Sequence, residues 1–143
     1  MLSDIVSRLK GSCPALKFVG GAADYKVIDN QKPPLSKLPA AYVIPLAERA
    51  DRNSYASGAV SQRVHSFVGV LLVVTGAASD PRGEGASFAI EAVRAQVRAA
   101  LLGWTPDATK YDPFTVTLGD IVDLDGQALW WQETFETAYT LRG

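Results

Sequence analysis

The sequence predicts an α+β fold: a single domain in which a long helix, at about residues 84–102, and a short N-terminal helix pack on a mainly antiparallel, twisted sheet of four to five strands. Three observations carry this. Residues 62–75 alternate between two apolar faces, Val64, Val68, Val70, Leu72 and Val74 on one and Phe67, Leu71 and Val73 on the other. That marks a strand central in a sheet and covered on both sides over 68–74. Ala86, Ile90, Val93, Val97, Ala100 and Leu101 then recur at spacings of three and four, the stripe of an amphipathic helix, with Glu91, Arg94 and Arg98 on the far side. Finally, Asp125-Gly126 separates an apolar run at 121–124 from the alternating series Leu129, Trp131, Glu133, Phe135, Thr137, Tyr139 and Leu141. That pattern belongs to a hairpin whose second strand outreaches the body of the domain.

Taken in order, residues 2–9 place Leu2, Ile5, Val6 and Leu9 on one helical face, with Ser3 as N-cap and Gly11 as the stop. Cys13-Pro14 favours an extended or turn conformation, and Leu16, Phe18 and Val19 form a brief strand or an apolar plug. Residues 22–29 read as a helical turn with Tyr25 and Ile28 inward, and 30–39, with three prolines, as loop. A strand follows at 41–46, where Pro45 marks an edge or an end. The polar stretch 48–59, with Asp51, Arg52, Asn53 and Ser54, is a long hairpin connection, expected to be mobile in the isolated protein and functional. Gly103 and Pro106 end the long helix. A strand at 114–118 follows the loop 106–113, with a bulge at Gly119-Asp120.

Composition bounds the function. At 143 residues the chain suits one core, and 48% hydrophobic with 20% charged residues is globular usage. A net charge of −1 gives no global attraction to nucleic acid or anionic membrane. Arg49, Arg52, Arg63, Arg94 and Arg98 interleave with Glu48, Asp51 and Glu91, which speaks for mixed, salt-bridged surfaces and against specific nucleic-acid binding. Cys13 stands alone, so no internal disulfide forms. The N-terminus lacks a signal peptide's apolar core, and no apolar run reaches the roughly 18 residues of a membrane span. A soluble protein made in the cytoplasm is expected.

The catalytic inventory is thin. His65 lies mid-strand with no partner identifiable from sequence, and Cys13 reads as a small buried residue. No cluster has zinc spacing, and Asp120, Asp123 and Asp125 lack the pattern of a calcium loop. No catalytic set, metal or cofactor is expected. The glycine-rich loop 76–85 precedes a helix N-terminus as phosphate loops do, without their lysine or glycine spacing; it reads as a strand-to-helix turn whose Arg82 is either solvated or an interface anchor. Trp130 and Trp131 face opposite sides of a strand, so one is expected to be exposed in the monomer or covered by a neighbouring subunit.

Five segments, 38–53, 61–74, 80–86, 97–107 and 129–142, resemble in order and spacing the tail terminator proteins of long-tailed bacteriophages and prophages. The most telling are the Leu-Leu-Gly-Trp-x-Pro turn at 101–106 and the closing strand with Trp131, Phe135, Thr137 and Tyr139. The resemblance implies a small α+β structural protein of the virion tail. It implies a ring, typically hexameric, that caps the head-proximal end of the tail tube, ends its polymerisation and docks the head connector or neck. It also implies a lumen that passes DNA, and no reaction. The partners would then be the chain itself, the tube protein and the connector, with no membrane. The expected contacts are the Arg94 and Arg98 helix face, the loop with Arg49, Asp51, Arg52 and Asn53, and Arg82 and Trp130. A connector or tube subunit, or a small ligand-binding domain using 76–85, are the alternatives.

Overall fold

Fifteen residues, Ser61–Thr75, rich in valine and leucine over their second half, make the strand around which the sheet is ordered. The structure, a computed structural model, describes residues 1–29, 35–75, 84–124 and 128–143. In chain order the elements are α1 (Leu2–Ser12), β1 (Phe18–Gly20), α2 (Ala22–Asp29), a 3-10 turn (Leu35–Lys37), β2 (Ala40–Ala50), β3 (Ser61–Thr75), α3 (Glu84–Leu101), β4 (Thr115–Leu124) and β5 (Ala128–Arg142). They form one five-stranded mixed sheet of order β1-β2-β3-β5-β4. Only the β1–β2 pair is parallel. The α+β prediction holds, and β3 is central as its two apolar faces require.

Each face has its own cover. Val68, Val70, Leu72 and Val74 meet Ile90, Val93, Val97 and Leu101 of α3 and Ile5 and Leu9 of α1 in the larger core. Leu71 and Val73 turn the other way, to Leu38, Ala40 and Tyr42, with Phe18, Tyr25 and Trp130 packed around them. Burial of each such side chain stabilises the fold by about 1.5–3 kcal/mol, so a strand wet on one face would forfeit half of this. Arg8 fastens α1 to α3: its Nε–H donates to the Ala100 carbonyl at 3.0 Å, and its guanidinium lies 5.7 Å from the Trp104 ring centroid.

The Leu-Leu-Gly-Trp-x-Pro turn has a plain mechanical role. Gly103 takes φ +78°, a left-handed conformation that a Cβ would strain, and so closes α3. Its N–H donates to the Phe114 carbonyl at 2.9 Å, and the Phe114 N–H donates back to the Trp104 carbonyl at 2.9 Å. Trp104 then stacks on Phe114 at 5.9 Å, and Phe114 meets Phe135 edge to face at 6.4 Å. Helix end, loop and β5 are thus one packed unit.

Several boundaries differ from expectation. The first helix runs through Gly11 to Ser12, because the extended conformation favoured before Pro14 sets the stop at Cys13, and Met1 rather than Ser3 stands at its N-cap position. Residues 48–50 continue β2: a register shift between Pro45 and Ala47 absorbs the proline, and pairing with β3 resumes as far as Ala50↔Val64. That part of β2 has no strand on its outer side among the described residues, since β1 covers it only to Tyr42, and a proline is tolerated there. The segments 114–118 and 121–124 join in one strand, bulged between Val116 and Leu118 and between Ile121 and Asp123. The Asp125-Gly126 turn lies outside the described residues, although the Leu124↔Leu129 register on its two sides is that of a hairpin. Ile28's side chain and residues 30–34 also lie outside them.

Phe135 is 1% exposed at the centre of the larger core. Phe135→Ala should therefore lower the free energy of unfolding by roughly 3–5 kcal/mol with an unchanged denaturant slope. A loss below about 1 kcal/mol in urea titrations would contradict this packing.

Candidate assembly surfaces

Three places on the surface come into question. The first is an arm made where β2, β3 and β5 run on beyond the helices. Residues 45–60 are exposed throughout. The end of the arm is nonetheless tied: Asn53 Oδ1 accepts from the Ser61 N–H at 2.8 Å and the Tyr55 N–H at 3.3 Å, while its Nδ2 donates to the Ala59 carbonyl at 3.0 Å. Val60 and Gly143 exchange backbone hydrogen bonds at 2.9 and 3.1 Å. Asn53 here takes the role that short polar side chains have in loops.

One face of this arm gathers charge. Arg49 stands opposite His65 in the β2–β3 register. The imidazole of His65 lies between two carboxylates, Asp51 Oδ2 at 3.1 Å from Nε2 and Glu136 Oε1 at 3.1 Å from Nδ1. Arg63 pairs with Asp112 beside them. The carboxylate partners that the sequence did not identify therefore exist, but they sit on opposite edges of the ring, with no nucleophile described beside it. Among the described residues no group of three His, Cys, Asp or Glu side chains stands ready to hold a metal ion. On the opposite face, the Tyr139 hydroxyl donates to Glu48 Oε1 at 3.1 Å, and that bond holds the phenol's ionisation above its usual range. Arg52 is exposed at the start of the turn. A groove of about 490 Å³ runs along the base of the arm, between Met1 and Leu2 of the first helix and Pro45, Leu46 and Phe67.

The second place is α3, and here the expectation is corrected. Arg94 and Arg98 do not stand free on the far side of the helix. Both reach to Glu133 of β5, whose side chain is fully buried: Arg94 Nε–H donates to Oε1 at 2.5 Å and Arg98 Nε–H to Oε2 at 3.0 Å. The Trp131 indole N–H adds a third bond to Oε1 at 2.7 Å, and the Arg94 guanidinium lies 4.2 Å from the Trp131 ring centroid. A helical wheel gives the azimuth of Cα and not the reach of a guanidinium, which can lay its stem along the helix and set its head over the next strand. Glu133 is the residue that pattern reading missed. Its signal was a carboxylate in phase with Trp131 and Phe135 on a core-facing strand, with two arginines spaced i, i+4 on the preceding helix.

Trp130 and Trp131 are both half-buried, Trp130 beside the smaller core and Trp131 beside the larger. Neither is the surplus exposed residue that was expected, because this sheet is covered on both faces. Arg82 and residues 76–83 of the glycine-rich loop lie outside the described residues, while Glu84 and Gly85 open α3. Cys13 is buried, and its burial pushes the thiol up, against a smaller downward pull from the Arg8 charge.

The third place was not anticipated. β4 is an edge strand whose Leu118, Ile121, Val122 and Leu124 are each between 51% and 56% exposed. Two bulges scatter these residues over both faces and the outer rim, which is why no period-2 pattern announced them. Three of the arginines considered for a basic track, Arg63, Arg94 and Arg98, are neutralised within the chain.

A family model described as phage tail terminator protein matches residues 2–143, which takes in every element above. No curated protein matches the chain.

Removing the Glu133 carboxylate leaves the part-exposed guanidinium groups of Arg94 and Arg98 without their common acceptor. Glu133→Ala is therefore expected to cost roughly 1–3 kcal/mol of stability, measured by urea unfolding, and Glu133→Gln distinctly less. Equal and small losses for the two would show that the carboxylate is not the anchor.

Proposed function

Because the chain belongs to the phage tail terminator family, and is by that membership a structural protein of the virion tail, we propose that it forms a ring, hexameric by our reading, on the head-proximal end of the tail tube. The ring ends tube polymerisation, offers the head connector its docking surface and leaves an axial lumen for DNA. The match over 2–143 carries this reading, since it spans the whole sheet and not one motif of it. The surface of the chain supports it. The described surface has unpartnered sheet edges and a projecting arm, which are what a subunit needs to meet both its neighbours and a tube. No helix among the described residues is long and apolar enough to cross a membrane.

In this reading the arm carries the contact to tube or neck. It is exposed over 45–60, bears Arg49, Asp51 and Arg52, and is stiffened by Asn53, so little ordering entropy is lost when it binds. Arg94 and Arg98 serve the fold first, leaving only their partly exposed outer atoms for a neighbour.

The experiment adds the protein to its tube protein during polymerisation and records tube length and end density by electron microscopy. Tubes should stop growing, with density at one end only. Incorporation along the whole tube would identify a tube subunit instead, and no binding would reject termination. Replacing residues 53–58 by a two-residue Gly-Ser link should leave the melting temperature within a few degrees and abolish capping; normal capping would remove the arm from the contact.

A further inference from the structure

The two edges of this sheet are chemically opposite at the same height. Following the register across all five strands gives one row, Phe18–Ala40–Val73–Trp130–Asp123, with its side chains on the face that carries the smaller core. At the β1 end Lys37 Nζ lies 5.3 Å from the Phe18 ring centroid. Lys17, whose backbone N–H donates to the Pro39 carbonyl at 2.8 Å, is exposed beside it. Asp24, the acidic residue at this edge, is turned onto the Gly21 N–H at 2.9 Å. At the other end the row closes on Asp123, and the next even row closes on Asp120, opposite Gln132. Both are exposed, neither is in an ion pair among the described residues, and β4 contains no lysine or arginine at all. Leu118 lies on the same face, opposite Thr134, and more than half of its surface is open.

We propose that the β4 edge of one copy seats against the β1 edge of a second copy, Asp120 and Asp123 meeting Lys17 and Lys37 and the exposed apolar residues of β4 leaving water. The inference rests on the ring reading above and supplies its contact. Opposite edges of one sheet are different patches, so the contact is heterologous and does not stop at a dimer; repeated by a rotation that divides the circle, it closes the ring of the reading above. Apolar burial supplies the affinity. The four charges fix which edge meets which, since two β4 edges or two β1 edges would set like charges together.

Charge exchange tests this directly. Asp120→Lys/Asp123→Lys makes both edges basic, and Lys17→Glu/Lys37→Glu makes both acidic; all four sites are exposed, and far-ultraviolet circular dichroism with thermal melting checks that the fold is kept. Each variant alone should lose the closed oligomer, by light scattering alone and with tail tubes, with at least a tenfold weaker association. An equimolar mixture should restore it, with the two chains alternating in equal numbers. The neutral pair Asp120→Asn/Asp123→Asn should weaken association less and remove most of its salt dependence. If either reversed variant assembles like the parent, or if the mixture stays dissociated, the edge pairing is wrong, and the carboxylates and bulges only guard β4 against open-ended strand addition. If the parent chain itself forms no closed oligomer, free or on tubes, it is the ring reading that fails, and the pairing with it.

Discussion

A carboxylate with no access to water fixes how this protein is put together. Glu133 is fully buried in β5, and three N–H donors, from Arg94, Arg98 and Trp131, satisfy its oxygens. Desolvating such a group costs several kcal/mol, which is offset only when all partners are in place. The geometry is demanding: α3 must be placed so that both arginines, spaced i, i+4, reach the two oxygens of one carboxylate. Neighbouring positions are chosen around it. At Gly119 of β4 an added Cβ would come within 3.0 Å of Glu133 Oε1, 3.3 Å of the Trp131 ring and 3.4 Å of Arg94, so a side chain there would press on all three members of this cluster.

From this anchor the rest follows mechanically. α3 held on β5 and β3 defines the larger core, and α1 is drawn to it through Arg8. The Gly103 turn returns the chain so that Phe114 can pack on Phe135 and lead into β4. Helices and the smaller core cover the middle of the sheet and leave its margins: the β4 edge, the β1 edge with its lysines, and the arm. A structural protein of the phage tail has to place its binding groups where the fold does not need them, and these margins meet that condition.

The central place of β3 and its antiparallel neighbourhood were legible in the sequence because β3 has two apolar faces, and the β4–β5 pairing because residues 129–141 alternate after the apolar run 121–124; the order of the remaining strands was not. The limits of elements were less so. Pro45 signals the end of a strand by its missing donor, but a bulge on a strand's free side removes the conflict, and only tertiary pairing reveals that. The candidate residues divided in the same manner. Arg49, Asp51, Arg52 and Asn53 were placed on an exposed loop and do lie on an exposed arm. Arg94 and Arg98 were misplaced, because residue type and azimuth say that they are charged and off the apolar stripe, while only the position of β5 says what they reach. The β4 edge was missed because its apolar residues follow bulges and no single period.

The central claim is that identical copies of this chain close on one another, and absolute mass tests it most directly. Light scattering across protein concentration, alone and with tail tubes, should give one discrete species at an integral multiple of 15.3 kDa, unchanged once formed. A 15.3 kDa particle at every concentration and in the presence of tube ends would contradict the account, as would a mass that grows without limit.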